Sequence, residues 1–127
     1  MKKCLILFPV LLVFSCTYKM EEVKPVCETP EQVSFSADII PIFSTHCSLS
    51  GCHVSPSPEG NLDLKAAVAY DQLTTGNAGY IDTVNPSFSL LYSSMKSVSN
   101  PMPPTGNLDE CTIELVLKWI EQGAPNN

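Results

Sequence analysis

At 127 residues the chain has room for one small domain that buries its own core. Its 13 acidic residues against seven lysines, with no arginine, give a net charge of -6 and no basic footprint for nucleic acid. The two histidines, His46 and His53, sit in one short stretch, so no Ser-His-Asp set can be argued, and no Gly-rich phosphate loop occurs.

Residues 1–15 open with Met-Lys-Lys, continue as an apolar run and end at Ser15, the pattern of an export signal. The run is too short to span a bilayer comfortably. Val13-Phe14-Ser15-Cys16 resembles a bacterial lipobox, in which Cys16 is lipidated and becomes the mature N-terminus; Phe14 stands where a small residue is usual. A plain secretory signal cut nearby is the alternative. Either way the domain is expected outside the cytoplasm, in the periplasm or lipid-anchored at the outer membrane. Loss of Lys2 and Lys3 leaves five lysines against 13 acids, a net charge of -8. Such a surface is compatible with docking of a basic redox partner, but acidic surfaces more often serve only solubility.

Residues 16–33 carry mixed charge and two prolines, and read as a tether that contains Cys27. The domain is expected over residues 34–127. Asp38 is positioned to cap a helix running to His46, with Pro41 in its first turn and Ile39, Ile42 and Phe43 as its apolar stripe.

That helix leads into Cys47-Ser48-Leu49-Ser50-Gly51-Cys52-His53. Two thiols followed at once by an imidazole form the pattern of covalent haem attachment, here with four residues between the cysteines where two are usual. Because the Cys52-His53 pair sets iron ligation, a longer spacer can loop out without moving the ligand. Three other readings remain: a Cys47–Cys52 disulfide, a zinc site of His46, Cys47, Cys52 and His53, and a thiol redox site. The zinc set needs two adjacent-residue pairs on one ion, and the redox site normally uses C-x-x-C on a βαβ pattern.

Beyond a Pro-rich loop at 54–60, residues 62–74 read as a helix with Leu62, Ala66, Ala69 and Leu73 on one face. Ser87 or Ser89 is expected to cap a second helix from Leu90 to Val98, with Leu91, Met95 and Val98 inward. The stretch Ser99 to Gly106 is a proline-stiffened loop holding Met102, which lies outside any apolar periodicity. A thioether held there can serve as the second axial ligand of an iron, with little ordering entropy left to lose. His46 is the alternative distal ligand, but it immediately precedes Cys47 and would struggle to cross the ring. The last helix is bounded by Asp109 as N-cap and Gly123 as stop, with Ile113, Val116, Leu117 and Ile120 inward, widened by Leu115 and Trp119.

Of the six cysteines, Cys4 leaves with the signal, Cys16 is the lipid candidate, and Cys47 and Cys52 belong to the haem motif. Cys27 and Cys111 remain as an even pair in an oxidising compartment and are expected to form a disulfide, with two free thiols the alternative.

The ordered set Asp38-Ile39-Ile40-Pro41-Ile42-Phe43, Cys47…Cys52-His53, Asn85-Pro86…Ser89-Leu90-Leu91-Tyr92, Met102-Pro103-Pro104 and Trp119-Ile120-Glu121-Gln122-Gly123-Ala124 resembles the small c-type cytochrome domains of lipoproteins and secreted proteins in Bacteroidota and Planctomycetes. The resemblance covers residues 34–127. It implies an all-α, cytochrome c-like fold: three to four short helices with long loops wrapping one covalent haem c. First and last helices would pack across each other. It implies His53 as proximal and Met102 as distal iron ligand. The expected role is one-electron transfer between redox protein partners, not enzymatic turnover. A haem sensor or peroxidase-like domain, and a haem-free disulfide-bonded binding module, are the rival functions.

Overall fold

A computed structural model describes residues 24–76 and 78–127. The export signal, the Cys16 lipidation site and the first part of the tether therefore lie outside the described residues. Among the described residues all regular structure is helical: α1 (Ile40–His46), preceded without a break by a wide π-type turn (Phe35–Ile39), α2 (Ala69–Thr74), α3 (Leu90–Lys96) and α4 (Glu110–Glu121). No strand is present there. The described residues are all-α, in line with the helical patterning along the chain.

The first helical run begins earlier than expected, because Ser34 and not Asp38 is its cap. Ser34 Oγ accepts from the Ala37 N–H at 3.2 Å, and the Asp38 carboxylate accepts from the Ser34 N–H at 2.7 Å. Each thus serves the other's end of the turn, in the manner of a capping box. The earlier start has a packing reason: it adds Phe35 to the buried stripe, one turn ahead of Ile39 and Phe43. Within the run the Ile39 N–H reaches back five residues to the Ser34 carbonyl, and Ile40 does the same to Phe35. Such widening accommodates Pro41, whose ring crowds the preceding turn and which has no N–H to give.

Phe35 lies at the meeting point of the helices. Its ring centroid is 5.1 Å from that of Trp119 on α4, 5.2 Å from Tyr70 on α2 and 6.3 Å from Phe43. Ile113, Val116, Trp119 and Ile120 of α4 are buried against this cluster, and the half-buried α4 side chain that packs on the core is Leu115, not Leu117 as the spacing suggests. Burial of each such side chain contributes about 1.5–3 kcal/mol, which is what holds short helices that would not persist alone.

Both ends of α4 follow from its sequence. Asp109 accepts from the Thr112 N–H at 2.9 Å, and at the other end the Gly123 N–H returns to the Ile120 carbonyl while the Ala124 N–H returns to that of Trp119. That pair of bonds is a Schellman stop, and Gly123 supplies the left-handed residue it needs, at φ 89°. Past the stop the chain turns back over the core. Trp119 Nε1 donates to the Pro125 carbonyl at 3.0 Å, and Asn127 accepts from the N–H groups of Phe35 and Ser36, donors that a helix start leaves free.

The stretch read as a tether is held along α4 in its described part. Cys27 is bonded to Cys111, Lys118 donates to Thr29 Oγ1, and Gln122 clasps the backbone at Glu31 and Val33. Val33 is fully buried.

Two helical expectations need correction. Residues 62–68 are not helical: Leu62 to Leu64 run extended and α2 begins only at Ala69. The Asp63 carboxylate accepts from the Lys65 N–H at 3.0 Å, a local bond that competes with helix formation, and Ala66 ends exposed. The other concerns α3, which stops at Lys96 and leaves Val98 97 % exposed. Ser89 precedes that helix but does not cap it; its hydroxyl instead accepts from the Asp82 N–H at 2.8 Å.

Candidate functional site

α1 delivers the two-cysteine loop. The N–H groups of Cys47 and Ser48 both return to the Phe43 carbonyl, which ends the helix and turns the chain. The spacer then folds on itself. Cys52 N–H donates to the Leu49 carbonyl at 2.9 Å and His53 N–H to the Cys47 carbonyl at 3.0 Å. Gly51, at φ 80°, takes the left-handed turn this path requires. The four-residue spacer is thus absorbed in a closed turn, and His53 is tied back to the start of the motif.

His53 is oriented from its far side. Nδ1 lies 3.0 Å from the Glu59 carbonyl, so it carries the proton and donates, which leaves the Nε2 lone pair free for a ligand. Glu59 is itself fixed by its N–H on the Cys52 carbonyl, and Leu64 N–H closes the loop onto the His53 carbonyl at 2.9 Å. Ser55 and Asp63 clamp the same loop: the Ser55 hydroxyl donates to the Asp63 carboxylate. That bond first, and the Lys65 N–H after it, hold the Asp63 carboxyl below its ordinary range.

Met102 hangs from α3 by a bond from its N–H to the Ser94 carbonyl at 3.0 Å. Cys47, His53, Glu59 and Met102 line two adjoining cavities. One is lined further by His46, Gly51, Cys52, Pro103 and Pro104. The other is lined further by Gly60, Leu62, Leu64, Tyr80, Leu90, Leu91, Ser94 and Met95. Glu59 is the one carboxylate among the lining residues, and no lysine lines either cavity.

The structure therefore brings together every residue that the haem reading singled out on the sequence. His46 joins the smaller cavity on the Cys47 side, whereas Met102 borders both. Cys47 and Cys52 are unpaired, half-buried thiols, so the Cys47–Cys52 disulfide is not formed. Burial, and then the neighbouring Cys52, push the Cys47 thiol up to about 11. Among the described residues no three His, Cys, Asp or Glu side chains gather to hold an ion, so the zinc tetrad is not assembled.

A haem fits this donor set: two thiols for its edge, an imidazole with a free Nε2, a thioether on the same cavity wall and apolar neighbours. Two contributors escaped sequence reasoning. The Glu59 carbonyl is a backbone atom with no signature of its own. Asp63 does carry one, as an Asp two residues before a free N–H at the end of an extended run. No family model, curated protein or solved structure matches the chain.

Proposed function

We propose that the chain is a monohaem c-type cytochrome that transfers single electrons outside the cytoplasm, anchored to a membrane through Cys16. The observation that carries this reading is the shared cavity wall of Cys47, Cys52, His53 and Met102. A bound haem would supply one-electron chemistry by cycling its iron between ferric and ferrous states. Cys47 and Cys52 would hold it covalently, His53 would ligate through Nε2, and Met102 would supply a thioether ligand that raises the potential. Were His53 and Met102 both to hold the iron, they would leave no position for a substrate there, which favours electron transfer over peroxidase-like or sensor chemistry.

This chain's own residues do the orienting. The Glu59 carbonyl fixes the imidazole's rotation and increases its basicity, Ser94 holds the Met102 backbone, and Leu62, Leu64, Leu91 and Met95 exclude water. The contact of Phe35 with Trp119 joins the first helical run to the last, an arrangement that supports a cytochrome c-like fold.

The test is an absorption spectrum of protein exported together with a cytochrome maturation system, for the native chain and for Met102→Ala. The expected result is a low-spin spectrum with a sulfur–iron charge-transfer band that Met102→Ala abolishes. A low-spin spectrum unchanged by Met102→Ala, and lost in His46→Ala, would give the distal position to His46. A colourless folded protein would leave a disulfide-bonded binding module.

A further inference from the structure

Glu59 lines both cavities, beside Cys47, His53 and Met102. Its backbone is fixed at both ends. The N–H donates to the Cys52 carbonyl at 2.9 Å, and the carbonyl accepts from His53 Nδ1 at 3.0 Å and from the Leu62 N–H at 3.3 Å. Gly60, at φ 63°, takes the left-handed turn that folds the chain back for the last of these bonds. The residue that orients the imidazole through its backbone therefore also roots a carboxylate beside it.

No fixed cation opposes that carboxylate at the cavities. No lysine lines either one, the chain has no arginine, and Lys96–Glu110 is the one ion pair among the described residues. The other carboxylate of the loop, Asp63, is bonded to Ser55 and Lys65 and lines neither cavity. A glutamate side chain is short against the Debye length of about 8 Å at physiological ionic strength, so its charge acts on the imidazole and on whatever that imidazole holds. Orienting His53 does not call for this residue type, since every residue supplies the same backbone carbonyl. The charge is a second contribution from one position, separable from the first.

We propose that the Glu59 carboxylate sets the reduction potential of the site, holding it below the value that His53 and Met102 would give alone. The inference rests on the haem reading above and deepens it. Reduction adds one electron to the iron, so a fixed negative charge beside the proximal ligand favours the ferric state. Thioether ligation raises the potential and the carboxylate lowers it, so Met102 and Glu59 oppose each other in setting it.

The experiment poises haem-loaded protein against a redox buffer and reads the ferrous-to-ferric ratio from the absorption spectrum. Glu59→Gln keeps the side chain's size and the backbone carbonyl, and is expected to raise that ratio about threefold at low salt. Glu59→Lys reverses the charge and is expected to raise it about tenfold, which is about 59 mV for one electron. Both gains should shrink in high salt, which screens a charge and leaves a change of ligand geometry untouched. Glu121→Gln removes the same charge from an exposed position in the α4 groove and is expected to leave the ratio within about 1.5-fold of native. An unchanged ratio in the Glu59 variants, a gain that high salt does not reduce, or an equal gain in Glu121→Gln overturns the assignment. Absence of haem from the native protein would overturn the underlying reading instead, before any potential is measured.

Discussion

The Met102 N–H donates to the Ser94 carbonyl at 3.0 Å, so the loop residue that borders both cavities is tied to the last turn of α3. The loop's base is closed a second time, by Lys96 Nζ at 2.8 and 2.9 Å from the two carboxylate oxygens of Glu110. Residues 97–109, with Met102 among them, thus form a closed loop between α3 and α4.

Opening that base is expected to free the loop without unfolding the protein. The Lys96–Glu110 pair is half-exposed, and pairs of that kind contribute about 0.2–1 kcal/mol. Lys96→Gln and Glu110→Gln should each raise the affinity of the haem-loaded protein for added imidazole by up to about fivefold, the upper end of the same energy read as an equilibrium. The charge-swapped double variant Lys96→Glu/Glu110→Lys should restore it. An affinity that does not move, or a loss without rescue, would detach this pair from Met102.

The Cys27–Cys111 bond spans 84 residues and straps the incoming chain to the start of α4. Loss of a native disulfide from a small exported domain costs about 2–5 kcal/mol, so Cys27→Ser/Cys111→Ser should unfold at clearly lower denaturant. Urea titration of native and double-variant protein measures this directly. Coincident curves would show that the hydrogen bonds of Thr29, Glu31 and Val33 to α4 suffice.

Phe35→Ala should be the most damaging single change in the core outside the cavity. The ring is 3 % exposed and touches three aromatic neighbours, and truncating a buried Phe costs about 3–5 kcal/mol. For a domain of this size each kcal/mol lowers the melting temperature by about 4–8 °C. A thermal melt shifted by only a few degrees would contradict the central placement of Phe35.

Stability should fall on the acid side through two identified groups. Asp109 is held below its ordinary 3.8 by the Thr112 hydroxyl and N–H, and Asp63 below the same value by Ser55 and then Lys65. A depressed carboxyl contributes fully above its unfolded value and loses that contribution as pH falls through the folded one. The decline should therefore begin near 3.8 and continue below it. Asp109→Asn keeps a capping acceptor without the titrating group, and melts across the acid range should show a shallower decline. An identical decline would assign the acid sensitivity elsewhere.

What could be read in the sequence was periodic or terminal. α4 announced itself through Asp109, its apolar stripe and Gly123, because cap, face and stop all agree there. The site was legible because its chemistry lies in side-chain types at a tight spacing, with Met102 distinguished by its failure to fit any stripe. Where local and tertiary preferences diverged, the reading failed. Asp38 has the residue type of a cap, yet burial of Phe35 starts the run earlier and makes Ser34 the cap. Residues 62–68 have helix-compatible spacing, but the Asp63 bonds to Ser55 and Lys65 hold an extended path. Val98 continues the Leu91–Met95 stripe on paper, although α3 ends at Lys96, before the turn that would carry Val98 inward. Backbone contributions such as the Glu59 carbonyl are invisible to residue type altogether.

The most direct test of covalent haem attachment is the intact mass of the exported protein after full denaturation, with Cys47→Ser/Cys52→Ser alongside. Attachment at these two thiols predicts that the native chain carries the mass of one haem and the double variant none. A native chain at its bare mass, or a haem that persists in the double variant, would contradict it.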